Sequence, residues 1–354
     1  MNVFERETRR TRHPSRPLLQ AMPKALLLAL LLAAAPAWAQ DGGDPLAPKD
    51  DFNKGGRTAF QFLKIGVGAR QVALGEAGIA TVRDVNAVFW NPAGIAGVTG
   101  VETSFSYNRW LADMNYVAGA VGVRLRGAGV VALSIASLDY GDIPEAVVTE
   151  GTADPRTGNT FSGGDFMVGL AFSRSFTDRL SIGVGAKFLR ESLFSYAVNT
   201  YAFDIGTNYD MGYKGLRLAM SVQNFGGAVN WLGEGVTDRE DGYDLPLVFR
   251  IGVATSVVGR DAFVDLGERH DVVLSVEAIN TNDYSERLHV GAEYGFGDLI
   301  TLRGGYRMNY EEGNWSFGVG LHPRMSGLEM RVDYAYVAYQ YLSAPHRFTV
   351  SLAF

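Results

Sequence analysis

From Val101 to the C terminus, apolar and polar positions alternate with period two in segments of about ten residues, and turn residues separate the segments. In the last segment Phe348, Val350, Leu352 and Phe354 alternate with Thr349, Ser351 and Ala353. Before it, Leu328, Met330, Val332, Tyr334 and Tyr336 alternate with Glu329, Arg331, Asp333 and Ala335. Trp315, Phe317, Val319 and Leu321 face opposite to Ser316, Gly318, Gly320 and His322 in the same way. The pattern predicts about fourteen β-strands, starting near Val101, Asn115, Gly127, Asp165, Arg179, Thr200, Gly215, Asp244, Asp271, Glu286, Leu299, Asn314, Gly327 and Pro345.

Period two alone fits a soluble sandwich as well as a barrel, but the contents of the two faces separate them. One face is almost purely apolar and aromatic. The other carries Lys187, Asp204, Arg217, Arg250, Glu277, Glu293, Arg303, Arg307, Glu329, Arg331 and Asp333 in mid-strand. A soluble barrel turns its apolar face inward. Here that face is too large and the charged face too regular, so the chain reads as an all-β protein, an antiparallel transmembrane β-barrel of about 14 strands with lipid outside and a polar lumen. The two signs are nearly balanced on the inner face, which predicts a paired network closing the bore. A conducting path, which would favour one sign, is the alternative.

Loop lengths follow the same architecture. Alternate connections are tight, as at Arg126-Gly127, Thr177-Asp178 and Gly297-Asp298, and the others are often long, notably 141–164 and 226–243. Short periplasmic turns and long external loops are the expected asymmetry; the connection 259–270 is longer than that rule predicts. Phe354 closes an apolar-aromatic strand, which resembles the C-terminal membrane-insertion signal read by barrel-insertion machinery.

Composition changes the picture at the N terminus. Ala25 to Ala35 reads ALLLALLLAAA, with Lys24 before it and Ala37-Trp38-Ala39 after it. A basic flank, a short apolar core and an A-x-A site predict a secretory signal peptide over residues 1–39, with Met22 as a better-placed start. Its removal takes away six Lys/Arg and two Asp/Glu, so the formal charge passes from −6 to −10. An acidic, exported chain argues against nucleic acid as a partner. The absence of cysteine from the 354 residues excludes disulfides, a lipoprotein anchor and a thiol nucleophile. Residues 40–57, rich in Asp, Gly and Pro, read as a flexible periplasmic arm. Residues 58–100 are apolar without a clear period and offer only short helices, near 59–64 and 85–90.

The stretch KIGVGARQVALGEAGIATVRDVNAVFWNPAGIAGV, residues 64–98, resembles the N-terminal signature of the PorV/PorQ family, within the FadL-like group of outer-membrane proteins. Gly66-Val67-Gly68-Ala69-Arg70 and Trp90-Asn91-Pro92-Ala93-Gly94 carry the match. Leu74-Gly75-Glu76 stands where a glycine pair is more usual, and Asp84 is a single acid in place of an acidic pair. The resemblance implies a FadL-like fold in the outer membrane of a Gram-negative bacterium: an N-terminal plug or hatch over 58–100 inside a barrel over 101–354. It also implies a non-enzymatic component of type IX secretion that binds or shuttles exported proteins, with secretion-system proteins and cargo as partners. The alternative is a FadL-like transporter of hydrophobic small molecules, with a hydrophobic ligand or lipid held in an apolar pocket of Phe60, Phe62, Leu63, Phe89 and Trp90.

The residues themselves suit a plug. Asn91 can satisfy stray backbone groups, Pro92 fixes a turn, and Ala93 and Gly94 permit close backbone approach. Arg70 is expected to pair with a lumen carboxylate, Glu293, Glu329 or Asp333. Val88 to Ile95 therefore reads as a plug turn packed inside the barrel, with a periplasmic cap helix ending at Asn91 as the alternative.

No catalytic constellation is legible. His289 and His322 fall on inward faces, but no Ser-His-acid spacing accompanies them. Asp139, Asp142, Glu145, Glu150 and Asp154 crowd the long third connection without the EF-hand form. Gly163-Gly164, Gly226-Gly227 and Gly304-Gly305 lack the GK[ST] of a phosphate loop. The chain reads as a non-enzyme that requires no cofactor or metal.

Overall fold

Fourteen antiparallel strands pair in chain order, and the last returns to the first. The computed structural model describes residues 56–147, 156–230, 242–260, 262–267, 269–325 and 327–354. The expected signal peptide, nearly all of the expected arm, and Glu150 and Asp154 lie outside them. The strands are β1 (Val101–Arg109), β2 (Asn115–Leu125), β3 (Gly129–Asp139), β4 (Gly163–Ser175), β5 (Leu180–Leu193), β6 (Tyr196–Asp210) and β7 (Arg217–Phe225). They continue as β8 (Val248–Val258), β9 (His270–Thr281), β10 (Arg287–Phe296), β11 (Ile300–Arg307), β12 (Trp315–Leu321), β13 (Leu328–Val337) and β14 (His346–Ala353). Each starts within four residues of the position read from the alternation.

β1 closes the ring on β14, with Glu102 opposite Ala353 and Arg109 opposite His346. The N–H of Phe354 donates to the Val101 carbonyl at 2.9 Å, sealing the short-turn end. In the long β3–β4 connection, Ile143–Ala146 and Arg156–Phe161 form a separate hairpin. Among the described residues no helix is long and apolar enough to cross a membrane.

Exposure is the inverse of a soluble protein's. Leu170, Tyr201 and Phe317 on the outer face are 57%, 65% and 51% exposed, whereas Lys187, Glu277 and Arg303 on the inner face are buried. Large apolar side chains left open around a whole barrel wall suit a lipid environment, and buried charges persist only when paired.

Residues 56–100 occupy the space that the inner face encloses. They form one short α-helix, α1 (Ala69–Ala73), and three 3-10 helices, Gln61–Lys64, Val85–Phe89 and Pro92–Gly97. Caps explain the last two: the Asp84 carboxylate accepts from the Asn86 N–H, and the Asn91 side chain accepts from the Ala93 N–H, with Pro92 at the first helical position. The stretch Val88 to Ile95 is thus the junction of two 3-10 helices inside the barrel, rather than a simple turn or a single helix ending at Asn91. α1 packs against β11 to β14, and Pro92–Gly97 packs against β3 to β6, so the segment touches opposite walls. It runs from the long-loop end, where the Ala59 N–H donates to the Asp244 carbonyl, to the short-turn end, where Arg124 holds the Val98 carbonyl.

Candidate functional site

Two features of the wall position the inner segment. The first is a set of glycines on inward positions of the strands. A β-carbon at Gly183 would strike Pro92, one at Gly206 would strike the Asn91 amide, and one at Gly305 would strike the Leu74–Gly75 peptide. Gly318 gives the same clearance to Ala73, and Gly252 to Ile79. Sequence reading missed this seat; the available signal was glycine at inward parity in mid-strand, where glycine otherwise weakens a strand. Gly75 completes the contact from the other side. It adopts a φ of 66°, lies against the backbone of Tyr306 and donates its N–H to Ser316 Oγ at 2.9 Å.

The second feature is charge. Glu293 accepts from Arg70 through both carboxylate oxygens, at 2.8 and 2.9 Å, and from Arg303 Nε at 2.6 Å. Arg303 reaches on to Asp333 at 2.6 Å. Arg331 holds the Asp84 carboxylate at 2.9 Å, and Arg307 holds Glu76 at 3.1 Å. Glu277 bonds Arg250 at 2.8 Å with one oxygen and accepts the Ile79 N–H at 3.0 Å with the other. Lys187 bonds Asp204 at 2.6 Å and Asn224 at 2.9 Å. Asn224 sits in a left-handed bulge of β7, where the β6–β7 register shifts.

Four of these bonds tie backbone or side chains of the inner segment to the wall, which is why the charges are tolerated away from water. Arg217, half-buried at the short-turn end, stands outside the network, and Glu329 is exposed. Several wall contacts were not singled out from sequence: Glu191 accepts the Phe60 N–H at 2.6 Å, Glu102 accepts the Val85 N–H at 3.0 Å, and Asp283 bonds Lys64 at 2.5 Å. Glu191 and Glu102 share the inward parity of the acids that were.

The signature residues have individual packing roles. Gly66 lies against Val72 and Trp90, where a side chain would not fit. Gly68, at φ 87°, precedes α1, and the Ala69 N–H donates to Thr349 Oγ1 at 2.8 Å. The Trp90 indole N–H donates to the Val67 carbonyl at 2.8 Å, and the Arg250 guanidinium stands over the ring at 5.0 Å. Asn91 Nδ2 donates to the Thr207 carbonyl at 3.1 Å, the Ala93 carbonyl accepts from Ser173, and Gly94 lies against the Val82 carbonyl.

Beside Trp90 the segment and the wall leave a cavity of about 30 Å³. Leu63, Val67, Phe89, Trp90 and Met167 supply its apolar wall, and Lys187, Gln223 and Arg250 its polar side. It has room for a water or two. Of the expected apolar pocket, Leu63, Phe89 and Trp90 line this cavity. Phe60 and Phe62 do not; they are packed fully into a neighbouring cluster with Tyr116, Leu138 and Leu189.

His289 is completely buried, with Nε2 3.0 Å from the Tyr310 hydroxyl, and His322 faces Asp333 at 3.8 Å. Among the described residues no three metal-ligating side chains stand together.

No family model matches the chain, and no curated protein matches it in sequence. Its shape does have relatives among solved structures. The Ralstonia pickettii toluene transporter TbuX is 12% identical, with a TM-score of 0.54 over 81% of this chain and 97% of that one. The Pseudomonas putida toluene transporter TodX is 11% identical, with a TM-score of 0.53 over 81% and 97%. A Pseudomonas aeruginosa FadL homologue is 12% identical, with a TM-score of 0.51 over 81% and 98%. At these identities the likeness concerns the fold, and the chain is a closed fourteen-stranded barrel built like the FadL-type barrels of the bacterial outer membrane.

Proposed function

We propose that this protein passes hydrophobic small molecules across the outer membrane, with residues 58–100 as the plug that the permeant displaces. The cavity at Trp90 carries the reading: a pocket where the inner segment meets the wall, apolar at Leu63, Phe89 and Trp90 and polar at Lys187, Gln223 and Arg250. The fold shared with two toluene transporters supports it. A pocket that holds only water must widen to admit a hydrocarbon, so the plug elements around Leu63–Val67 and Phe89–Trp90 move in transport. The test is accumulation of radiolabelled toluene and of a long-chain fatty acid by a Gram-negative host with and without the protein in its outer membrane. Faster accumulation of either supports the proposal; equal rates for both remove it.

A second reading, a type IX secretion component, rests on the signature at 66–70 and 90–94. Those residues have packing roles inside the barrel, so the signature does not by itself require a protein client. Exported proteins co-purifying in stoichiometric amount from native outer membrane in mild detergent would favour this reading over transport. Surrounding lipid and the barrel-insertion machinery are partners under either.

A further inference from the structure

Arg347 is the second residue of β14, at the long-loop end of the barrel, and its side chain points inward and is buried. Unlike the cations of the network, it bonds no carboxylate among the described residues. Its Nε and Nη1 meet no acceptor, and the Trp110 ring lies 5.1 Å from the guanidinium carbon. The lumen acids Glu76, Glu293 and Asp333 are engaged by other arginines, and Asp165, buried at the same end, accepts from the Tyr140 hydroxyl at 2.8 Å rather than from Arg347. Directly across the β1–β14 ladder stands Asn108, buried, with both its amide nitrogen and its amide oxygen unpartnered. A buried, unpaired guanidinium beside an unpaired amide is costly unless a further group completes it.

We propose that Arg347 and Asn108 form an anion site at the mouth of the lumen, closed by Trp110, whose ligand is a small organic carboxylate with an adjacent hydroxyl. The carboxylate accepts from the guanidinium and from Asn108 Nδ2; the hydroxyl donates to Asn108 Oδ1. Entry requires Trp110 to lift, and the backbone beside it is strained. Trp110 leads a three-residue 3-10 turn in which the non-glycine residues Ala112 and Asp113 both hold left-handed backbone, at φ 53° and 61°. The site is separate from the cavity at Trp90 and does not depend on transport through it.

Calorimetric titration of the purified, detergent-solubilised protein tests the proposal, with glycolate, acetate and acetamide as probes. Glycolate is expected to bind more tightly than acetate, and acetamide not at all. Arg347→Met should weaken glycolate by about tenfold or more, and Asn108→Ala should erase the advantage of glycolate over acetate. Heat-modifiable gel mobility establishes that each variant is folded. Should Arg347→Met fail to fold, Trp110→Ala serves instead, because it removes the cover without touching the anion contacts and should speed glycolate exchange. Equal binding of acetamide, no binding of glycolate, or glycolate binding lost in Arg250→Met but kept in Arg347→Met would each overturn the assignment.

Discussion

Arg70 and Glu293 meet through a two-pronged bond, at 2.8 and 2.9 Å, which fastens α1 of the inner segment to β10 of the wall. Glu293 also takes Arg303, so a single carboxylate answers two cations, one half-buried and one buried. The two ends are therefore unequal. Glu293→Gln leaves Arg70 with no bonded carboxylate, whereas Arg303 retains Asp333. Loss of one member of a buried pair costs about 3–5 kcal/mol. We predict that Glu293→Gln loosens residues 66–80 while the barrel stays closed. Arg70→Met should do less harm, because Glu293 keeps Arg303. Limited proteolysis of the folded barrel, judged by heat-modifiable gel mobility, should show cleavage within 66–80 for the first variant before the second; the reverse order would contradict the asymmetry.

The glycine seat predicts a contrast between neighbours. Gly305 faces the Leu74–Gly75 peptide, and any side chain there must displace it. Gly304 faces outward, and a β-carbon on it would come no nearer than 3.9 Å to Phe317. Gly305→Val should unseat α1 and raise passive leakage through the bore, read as single-channel conductance in planar bilayers. Gly304→Ala should leave conductance unchanged. Matching behaviour of the two variants would mean that the wall glycines do not hold the segment.

At the long-loop end Lys64 bonds Asp283, in the β9–β10 connection, at 2.5 Å, and Thr58 donates to the same oxygen at 3.2 Å. Burial works against the Asp283 carboxylate, but the bonds from Lys64 and Thr58 outweigh it and hold the group below the usual carboxylate range. Lys64 is lowered as well, chiefly by burial, so the pair is less stabilising than its short distance suggests. For a carboxyl depressed in the folded state, the stabilisation is present above its unfolded value and lost as the pH falls through the folded one. The hydrogen-exchange protection factors at residues 58–64, corrected for the intrinsic pH dependence of amide exchange, should thus be constant through neutral pH and fall below about pH 4. In Asp283→Asn the protection should already be low at neutral pH, with little further loss on acidification.

These contacts show what sequence could and could not convey. Strand starts followed from parity, and so did the burial of Lys187, Asp204, Arg250, Glu277, Arg303, Arg307 and Asp333, whereas Glu329 is exposed; a one-residue slip would move these charges into lipid. Which acid answers which base depends on ring closure and on the path of residues 58–98, and neither leaves a periodic trace. Arg70 had three candidate acids on β10 and β13, and only the register decided among them. Short 3-10 helices have too few residues to display a period, so Asp84 and Asn91 could be seen as polar interruptions but not as caps. Arg347 was invisible for a related reason: its parity marked it as inward, but nothing local shows that its cross-strand neighbour is an unpartnered amide.

Trp90 joins the inner segment to the cavity, so its substitutions should separate packing from the proposed transport. The ring is 2% exposed, donates to the Val67 carbonyl and lies under Arg250. Trp90→Ala removes a large buried side chain, which costs about 3–5 kcal/mol, and merges the vacated space with the cavity. Trp90→Phe keeps most of the apolar surface and an aromatic face for Arg250 but abandons the bond to Val67. Under the transport proposal, Trp90→Ala should speed accumulation of toluene in the outer-membrane assay despite lower thermal stability, and Trp90→Phe should fall between it and the unmodified protein. If both variants lose stability and neither changes the rate, Trp90 serves the plug's own core, and the route for a hydrophobic molecule must be sought elsewhere in the barrel.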